Sequence, residues 1–551
     1  MAMMTTTTSN STNPNLVKQR PARAHADYSN KTERIRKGRS SDTARLFIAL
    51  SIVFLITVLV RTAWIADEAA IELRVAQNLV SGYGMRWNVA DRVQAYVDPL
   101  WVLLVSWTDW IVGQPFASAW LLSLVLTASA VAVIAFRLAS DAAAAMMAIA
   151  LVTFSKTFVE YSVSGFQTPL TVALLAAFFW MYWREGPAQR RLTMLTFFAA
   201  LLALTDPLAI LLVLPPLFAA AARVERRARG RSIATGAAPL AAWLIFAVVY
   251  YGFIVPNPLV AAISARPPTR DLIVQGAYYV LDAIDNDPIA VAAIAAAIGA
   301  AAFGVVRDSA APALGLVAFA VILVVSGGDA LSGRSLVPAF ASAVMQLSRF
   351  QWEQLGNLIV VPAVLVAALG LTAPGSPVLA DADFGRNVPQ WNRWPGDPAP
   401  RPTEMNHIRD ERRLSYQSTG LLKGQRYVPL PDTSEAEVGV NAALTSGRHV
   451  IVEDRVGLVG TVAGPRLYVV DRLGRGDAFL ARRDRDGAWR PGGVTHQIPE
   501  GYVESLEANR DVIRDPAMAR EYDEVALVTR GALFSRARIR AILDLNLRLL
   551  H

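Results

Sequence analysis

The apolar run LFIALSIVFLITVLV, at residues 46–60, decides the class of fold. A spanning helix needs about 20 mostly apolar residues, and we interpret this run as a first transmembrane helix. Basic residues stand before it and no small-residue cleavage site follows it, so we expect a retained helix with a cytoplasmic N-terminus. These basic residues are Lys31, Arg34, Arg36, Lys37 and Arg39. The polar residues 1–40 are predicted to form a disordered, basic cytoplasmic tail.

The composition extends this interpretation to the rest of the chain. Of its 551 residues, 54% are hydrophobic and 18% are charged, a balance that no soluble globular protein needs. The apolar segments predict a polytopic α-helical bundle of about eleven transmembrane helices over residues 41–372. They lie at roughly 46–60, 117–137, 142–160, 169–183, 193–205, 207–222, 233–255, 289–306, 310–326, 335–349 and 357–372. Loop arginines then fall on the cytoplasmic side, as the positive-inside rule requires.

An odd number of spans places residues 373–551 outside the plasma membrane. Their β-branched runs at 450–452 and 467–470 alternate with helical patterns, which predicts an extracytoplasmic α/β or α+β domain. If the Trp-rich segment 98–112 also spanned the bilayer, the number of spans would be even and residues 373–551 would no longer lie outside. We therefore expect it at the outer interface, where Trp is favoured, and a true span paired with another missed helix is the alternative.

Several classes of function are excluded or disfavoured. The chain has no cysteine, which excludes disulfides, thiolate nucleophiles and Cys-ligated metals. The net charge of +8 comes from short clusters between apolar segments, so nucleic acid is not an expected partner. Nucleotide-binding glycine motifs are missing from the sequence, which disfavours an ATP-driven pump. No cofactor is predicted, since the histidines lack ligand spacing and a divalent cation held by Asp67, Glu68 and Asp329 has no support in the sequence.

Polar residues beside the apolar segments all fall on the outer side in this topology. They are Asp67 and Glu68, Gln167, Asp206, Asn257, and Asp329 with Arg334. Ionisable groups near lipid are costly, so their shared side indicates one common site. A carboxylate such as Asp67 can deprotonate a hydroxyl or act as a nucleophile, and capping of the helix that begins near Ala69 is the alternative.

Two arginines are candidate phosphate ligands. Arg334 follows the glycine-rich stretch at 327–333, where the backbone can approach a ligand closely, and its guanidinium can hold a phosphate with two hydrogen bonds. The alternative is a tight turn in which Arg334 pairs with Asp329. Arg74 lies two helical turns after Asp67 and is the second candidate. Asp206 precedes a proline, and a helix cap is its favoured role.

The pattern favours an enzyme over a transporter. A transporter is expected to show internal repeats and helices broken near mid-membrane, whereas here the polar loops lie at the rim and no clear repeat is present. We therefore expect an enzyme that uses a lipid-borne substrate from the outer leaflet.

The order of short motifs resembles the C-type (GT-C) polytopic glycosyltransferases of actinobacterial cell-wall synthesis. The motifs are Asp67-Glu68, RWN at 86–88 with Tyr96, SGFQTPL at 164–170, YYG at 250–252 with Asn257, and GGD at 327–329 with Arg334. In the tail, DER at 410–412, GLVG at 457–460, DRLG at 471–474 and IPEGY at 498–502 resemble the extracytoplasmic domain of one branch. That branch adds terminal β-1,2-arabinofuranosyl residues to arabinan.

The resemblance implies a decaprenylphosphoryl arabinose donor and an acceptor hydroxyl on arabinogalactan or lipoarabinomannan. It places the acidic pair, Asp67 and Glu68, at the reaction centre. Together with the rim positions it gives these substrate-binding candidates: Arg74, Asn88, Tyr96, Gln167, Asn257, Asp329 and Arg334. The expected partners are thus a polyprenyl-phosphate sugar, a cell-wall glycan and membrane lipid.

The sequence departs from the family pattern at several positions. Glu68 stands where the family has a second aspartate, Gln167 where it has a glutamate, and Ala261 and Ala262 where it has a lysine. The triplet Asp206-Pro207-Leu208 replaces Arg-Pro-Asp. Such losses of charge fit a different sugar or acceptor, or weakened activity. A non-catalytic relative that transports lipid-linked glycans or acts as a scaffold of a cell-wall synthesis complex is therefore the alternative function.

Overall fold

The computed structural model describes residues 42–373, 375–379, 404–423 and 434–549. The predicted tail of residues 1–40 lies outside these ranges. The chain divides into two units, residues 1–51 and residues 52–551. In the first unit the described residues, 42–51, are helical, and all contacts discussed below lie within the second.

The described chain is mainly helical. Its first helices are α1 Asp42–Thr62, α2 Asp67–Val80, α3 Pro99–Val112, α4 Pro115–Val133, α5 Ala142–Phe154, α6 Lys156–Tyr161, α7 Thr168–Trp183, α8 Ala188–Ala203, α9 Ile210–Ala222, α10 Arg226–Gly236 and α11 Ala238–Tyr250. Next come α12 Asn257–Ser264, α13 Thr269–Asn286, α14 Pro288–Ala302, α15 Ala310–Val325, α16 Val337–Leu347 and α17 Val360–Thr372. The tail contains α18 Glu411–Thr419, α19 Ser434–Thr445, α20 Val456–Ala463, α21 Tyr502–Ala508, α22 Pro516–Arg530 and α23 Arg536–Leu549.

The region predicted to span the membrane consists largely of apolar helices. Among the described residues, three helices are long and apolar enough to cross a bilayer: Asp42–Thr62, Pro115–Leu138 and Trp352–Thr372. The number rises to as many as five if two bent pairs, α10 with α11 and α13 with α14, each form one span. Every predicted apolar segment falls on a helix, although many are short. The chain is therefore a helical multi-pass membrane protein, and the count of eleven spans stays a prediction.

The Trp-rich segment forms the short helix α3. It has 14 residues, and the side chains of Trp107 and Trp110 are exposed. Aromatic side chains on the outside of such a helix suit a membrane interface. The interfacial placement of this segment stays a prediction.

The tail contains two pairs of short strands. Strands β1 (Glu404–Met405) and β2 (Ile408–Arg409) pair antiparallel. Strands β3 (Val450–Glu453) and β4 (Tyr468–Asp471) pair parallel, and α20 connects them. Parallel neighbours require such a crossover, so this segment is a βαβ unit. The two strands predicted from the β-branched runs are confirmed, whereas a separate tail domain over residues 373–551 stays a prediction.

Glycines let α2 and α20 pack in close contact. A Cβ atom added at Gly457 would lie 1.6 Å from the backbone oxygen of Asp67, and one at Gly460 would lie 2.2 Å from the Trp87 ring. Only glycine permits an approach this close. The helix that carries the predicted acidic pair therefore packs directly on the tail.

Candidate active site

Two cavities meet beside the start of α2. The first, here called the tail cavity, has a volume of about 470 Å³ and is lined mainly by polar residues of the tail. The second, here called the bundle cavity, has a volume of about 620 Å³ and lies among α2, α7, α12, α15 and α16. Glu68, Leu473, Arg475 and residues 490–494 line both cavities. Glu68 is the acidic residue common to the two.

Two arginines hold Glu68 at this junction. Its Oε1 accepts from Arg475, whose Nη1 is 3.0 Å away, and its Oε2 accepts from Arg334, whose Nη1 is 3.3 Å away. Arg334 also binds Asp329 with two parallel contacts of 2.7 and 2.9 Å and lies 4.8 Å from the centre of the Phe166 ring. The pairing of Arg334 with Asp329 that the sequence left open is therefore present. One nitrogen of the guanidinium still faces Glu68.

Asp67 has a different environment. Its Oδ1 accepts from the backbone N–H of Leu458 at 3.0 Å and its Oδ2 from that of Gly457 at 3.3 Å, so the carboxylate caps the first turn of α20. Its own backbone N–H donates to Glu411 Oε1 at 2.9 Å. Asp67 makes no side-chain cap on α2. Capping, the alternative role of this residue, is present, but on a helix almost 400 positions later in the chain.

The tail cavity contains carboxylates and arginines together. The carboxylates of Asp67, Glu68 and Glu411 line it together with four arginines, Arg409, Arg455, Arg475 and Arg490. Burial, and next the negative charge of Glu68, raises the pKa of Glu411 to about 6. Within the described ranges, no three His, Asp or Glu residues are arranged to hold a metal ion. A mixture of acids and arginines suits hydroxyl groups and anions.

The structure brings some predicted substrate-binding residues to the bundle cavity. Tyr96, Gln167 and Arg334 line it. The hydroxyl of Tyr96 is within 2.7 Å of the Tyr251 hydroxyl. Asn257 is not among the lining residues, and its side-chain amide donates to the carbonyls of Gly474 and Arg475. It therefore holds the turn that presents Arg475.

Arg74 and Asn88 line neither cavity. Arg74 is fully buried, 4.3 Å from the centre of the Trp87 ring, and donates to the carbonyls of Gly464 and Leu467 at 3.0 Å each. The side chain of Asn88 bridges Arg74 and the backbone of β4. These contacts give both residues a structural role in this conformation, in which they join α2 to the tail.

Arg475 was not among the site residues predicted from the sequence. Asp471 forms the turn that positions it, because its two carboxylate oxygens accept from the N–H groups of Leu473 and Gly476. Asp471 opens the DRLG motif, which was the available signal. A motif shows that a turn is present, but it gives no distance to Glu68, which lies some 400 residues earlier.

The departures from the family pattern gather in one place. Glu68, Gln167, Asp206, Leu208, Ala261 and Ala262 all line the bundle cavity. They come from separate loops and helices, so the changes share a surface rather than a stretch of sequence.

Comparison with known proteins gives one sequence relative and one structural neighbour. A terminal β-(1→2)-arabinofuranosyltransferase of Mycobacterium tuberculosis (strain ATCC 25618 / H37Rv) is 29% identical over 227 residues. The resemblance predicted from the motifs is confirmed. The matched region covers 37% of this chain and 35% of the relative, so it spans about a third of the relative's length. No protein-family model matches the chain.

The structural neighbour is more distant. The crystal structure of ArnT from Cupriavidus metallidurans, bound to undecaprenyl phosphate, superposes with a TM-score of 0.41 and 12% identity. The alignment covers 79% of this chain and 76% of ArnT. A likeness at this level supports no assignment of function.

Proposed function

We propose that the protein transfers an arabinofuranosyl residue from a polyprenyl-phosphate sugar to a cell-wall arabinan on the outer face of the plasma membrane. The observation that carries the proposal is the position of Glu68, which lies where a bundle-side cavity and a polar tail cavity meet. The partial similarity to a terminal arabinofuranosyltransferase supports the sugar and the linkage.

The lipid donor is assigned to the bundle cavity. Apolar residues of α12, among them Leu259 and Ile263, line that cavity beside Phe319 of α15. Binding of a polyprenyl chain here would supply energy far from the reacting carbon. Arg334, Arg475 and Arg490 line the same cavity and would stabilise the charge that grows on the departing phosphate.

The glycan acceptor is assigned to the tail cavity. A hydroxyl entering there would meet Glu68, which could take its proton in a single displacement. In a double displacement the same carboxylate would instead attack the anomeric carbon and form a covalent glycosyl intermediate. Asp67, whose carboxylate lines the tail cavity beside it, is the second catalytic candidate.

A transfer assay tests the proposal. Purified protein in nanodiscs is incubated with radiolabelled decaprenylphosphoryl arabinose and a short synthetic arabinan, and the products are separated by size. We expect an extended arabinan with the wild type and none with Asp67→Asn or Glu68→Gln. A second polyprenylphosphoryl pentose serves as the specificity control. Folded wild-type protein that extends no acceptor with either donor would contradict the proposal and favour a transporter or scaffold.

A further inference from the structure

A hairpin of the tail reaches the place where the two cavities meet. It covers residues 484–497 and is here called the tail hairpin. Its two arms pair antiparallel, with a bridge between Arg485 and His496. Next to that bridge, the backbone N–H of Asp486 donates to the carbonyl of Thr495 at 2.7 Å. The paired arms hold the tip, residues 487–494, in a defined position.

The tip separates the two cavities. Its residues 490–494 line both of them. The two residues before this stretch differ, because Ala488 lines only the tail cavity and Trp489 lines only the bundle cavity. The tip therefore forms part of the wall between the cavities, and Trp489 belongs to the side on which the lipid donor is assigned.

The tip is seated on the bundle by close contacts. A Cβ atom added at Gly327, just after α15, would lie 3.0 Å from Cη2 of Trp489. The same Cβ would lie 3.0 Å from Cδ2 of Leu272 in α13, so the indole and Leu272 are neighbours at this point. A Cβ added at Gly492 would lie 2.7 Å from that of Ala330. The tail thus supplies part of the lining of the bundle cavity.

Trp489 lies at a boundary between apolar and charged lining. Leu272 and Phe319 line the same cavity as apolar side chains. The next residue of the tip is Arg490, whose guanidinium has no ion-pair partner among the described residues and is available to an anion. Trp is favoured where one side is apolar and the other is polar. A polyprenyl phosphate has the same boundary, where its chain meets the phosphate.

We propose that the tip of the tail hairpin binds the lipid donor at this boundary, with Trp489 packed on the prenyl chain next to the phosphate and Arg490 on the phosphate itself. The inference rests on the proposed function and deepens it, because it gives the tail a part in donor binding besides the acceptor cavity. Trp489 contacts the lipid and not the sugar, so its contribution is the same whatever sugar the lipid carries.

Binding of two lipids tests the contact with the prenyl chain. The full chain in nanodiscs is titrated with decaprenylphosphoryl arabinose and with decaprenyl phosphate, which lacks the sugar. We expect Trp489→Ala to weaken binding of both lipids about fivefold or more, because each loses the same aromatic contact. Trp489→Phe keeps an aromatic ring and should recover most of the affinity. Phe534→Ala removes an exposed aromatic ring of the tail outside both cavities and should change neither affinity.

Steady-state kinetics separates a donor contact from a structural role. Residues 490–494 also line the tail cavity, so a displaced hairpin would alter acceptor binding as well. We expect Trp489→Ala to raise the KM for the lipid donor about fivefold or more, while the KM for arabinan and kcat at saturating donor stay within about twofold of the wild type. If the alanine variant does not fold, Trp489→Leu, which keeps a smaller apolar side chain, gives the same comparison.

The opposing results are distinct from one another. Unchanged donor affinity in Trp489→Ala would overturn the inference. So would a loss confined to the sugar-bearing lipid, or a raised KM for arabinan. If the wild type bound neither lipid, the proposed function itself would fail, and the inference with it.

Discussion

Asp67 and Glu68 are adjacent in sequence, yet their carboxylates serve different surfaces. Successive residues of an α-helix point about 100° apart, because the helix has 3.6 residues per turn. As a result Asp67 meets the amides of α20, whereas Glu68 faces the two cavities. The sequence presented the two as one acidic pair. In the structure, Asp67 anchors the tail and Glu68 has the clearer chemical position.

Asp67→Asn should therefore affect stability as well as activity. An amide keeps one acceptor oxygen and turns an NH₂ group toward the other backbone N–H of α20, which leaves that donor unpaired. We expect a loss of about 1–3 kcal/mol in unfolding free energy, seen as a lower melting temperature in nanodiscs. Glu68→Gln removes the charge that Arg334 and Arg475 contact, so its melting temperature should fall too and is measured beside that of Asp67→Asn. Equal melting temperatures for Asp67→Asn and the wild type would show that the contact with α20 carries no energy.

Arg475→Gln tests the arginine that sequence reasoning missed. The substitution removes a cation whose Nη1 lies 3.0 Å from Glu68 Oε1. It also removes positive charge from the proposed phosphate site. We expect kcat for sugar transfer to fall about tenfold or more. Arg472→Gln is the matched control, because Arg472 pairs with Asp454 and Asp486 and lines neither cavity. A similar loss of activity in both variants would argue for a general effect of charge.

The sequence identified the bundle side of the site better than the tail side. Glu68, Gln167 and Arg334 follow apolar segments directly, so the topology alone placed them on one face. On the tail side, Arg475 reaches Glu68 only because α2 packs on the tail, and no local pattern reports that contact.

At the scale of elements, the packing of α2 on α20 decides where the acidic pair lies. Apolar runs were sufficient to predict the helices, and β-branched runs predicted β3 and β4. The GLVG motif was noted only as part of the family resemblance. The motif needs its two glycines for a steric reason, because they lie against Asp67 and Trp87. A contact between such distant segments leaves no periodicity in the local sequence.

Gly457→Ala should destabilise the protein strongly. The new methyl group would overlap the backbone of Asp67, and backbone cannot move aside as a flexible side chain can. We expect a clearly lower melting temperature and loss of activity. Gly439→Ala in α19 is the control, because its Cβ would meet no atom within 4 Å. Alanine there should be neutral or stabilise by about 0.5–1 kcal/mol. A tolerated Gly457→Ala would contradict the close packing of α2 on α20.

At the scale of the whole molecule, buried ionic contacts join the bundle to the tail. Lys156 at the start of α6 lies 2.7 Å from Asp410, which precedes α18. Arg412 of α18 reaches Glu160 of α6 at 3.4 Å. Breaking a buried pair from one side typically costs about 3–5 kcal/mol. These contacts hold α18, and with it Glu411, against the start of α2.

The orientation in the membrane can be tested by cysteine labelling, because the chain has no cysteine of its own. Val438 is exposed in the tail, and Gly230 is exposed within the arginine-rich α10. We expect a membrane-impermeant maleimide to label Val438→Cys in intact cells and to label Gly230→Cys only after permeabilisation. The reverse pattern would contradict a cytoplasmic N-terminus and an external tail.

We assign sugar transfer to Glu68, at the junction of the two cavities. The most direct measurement is the single-turnover rate of arabinosyl transfer by Glu68→Gln and by the wild type, in the same nanodiscs and at saturating donor. We predict a rate at least about 100-fold lower for Glu68→Gln, in protein that is folded and saturated with donor at the assay temperature. A rate near that of the wild type would contradict this assignment, and would move the reaction centre away from this junction.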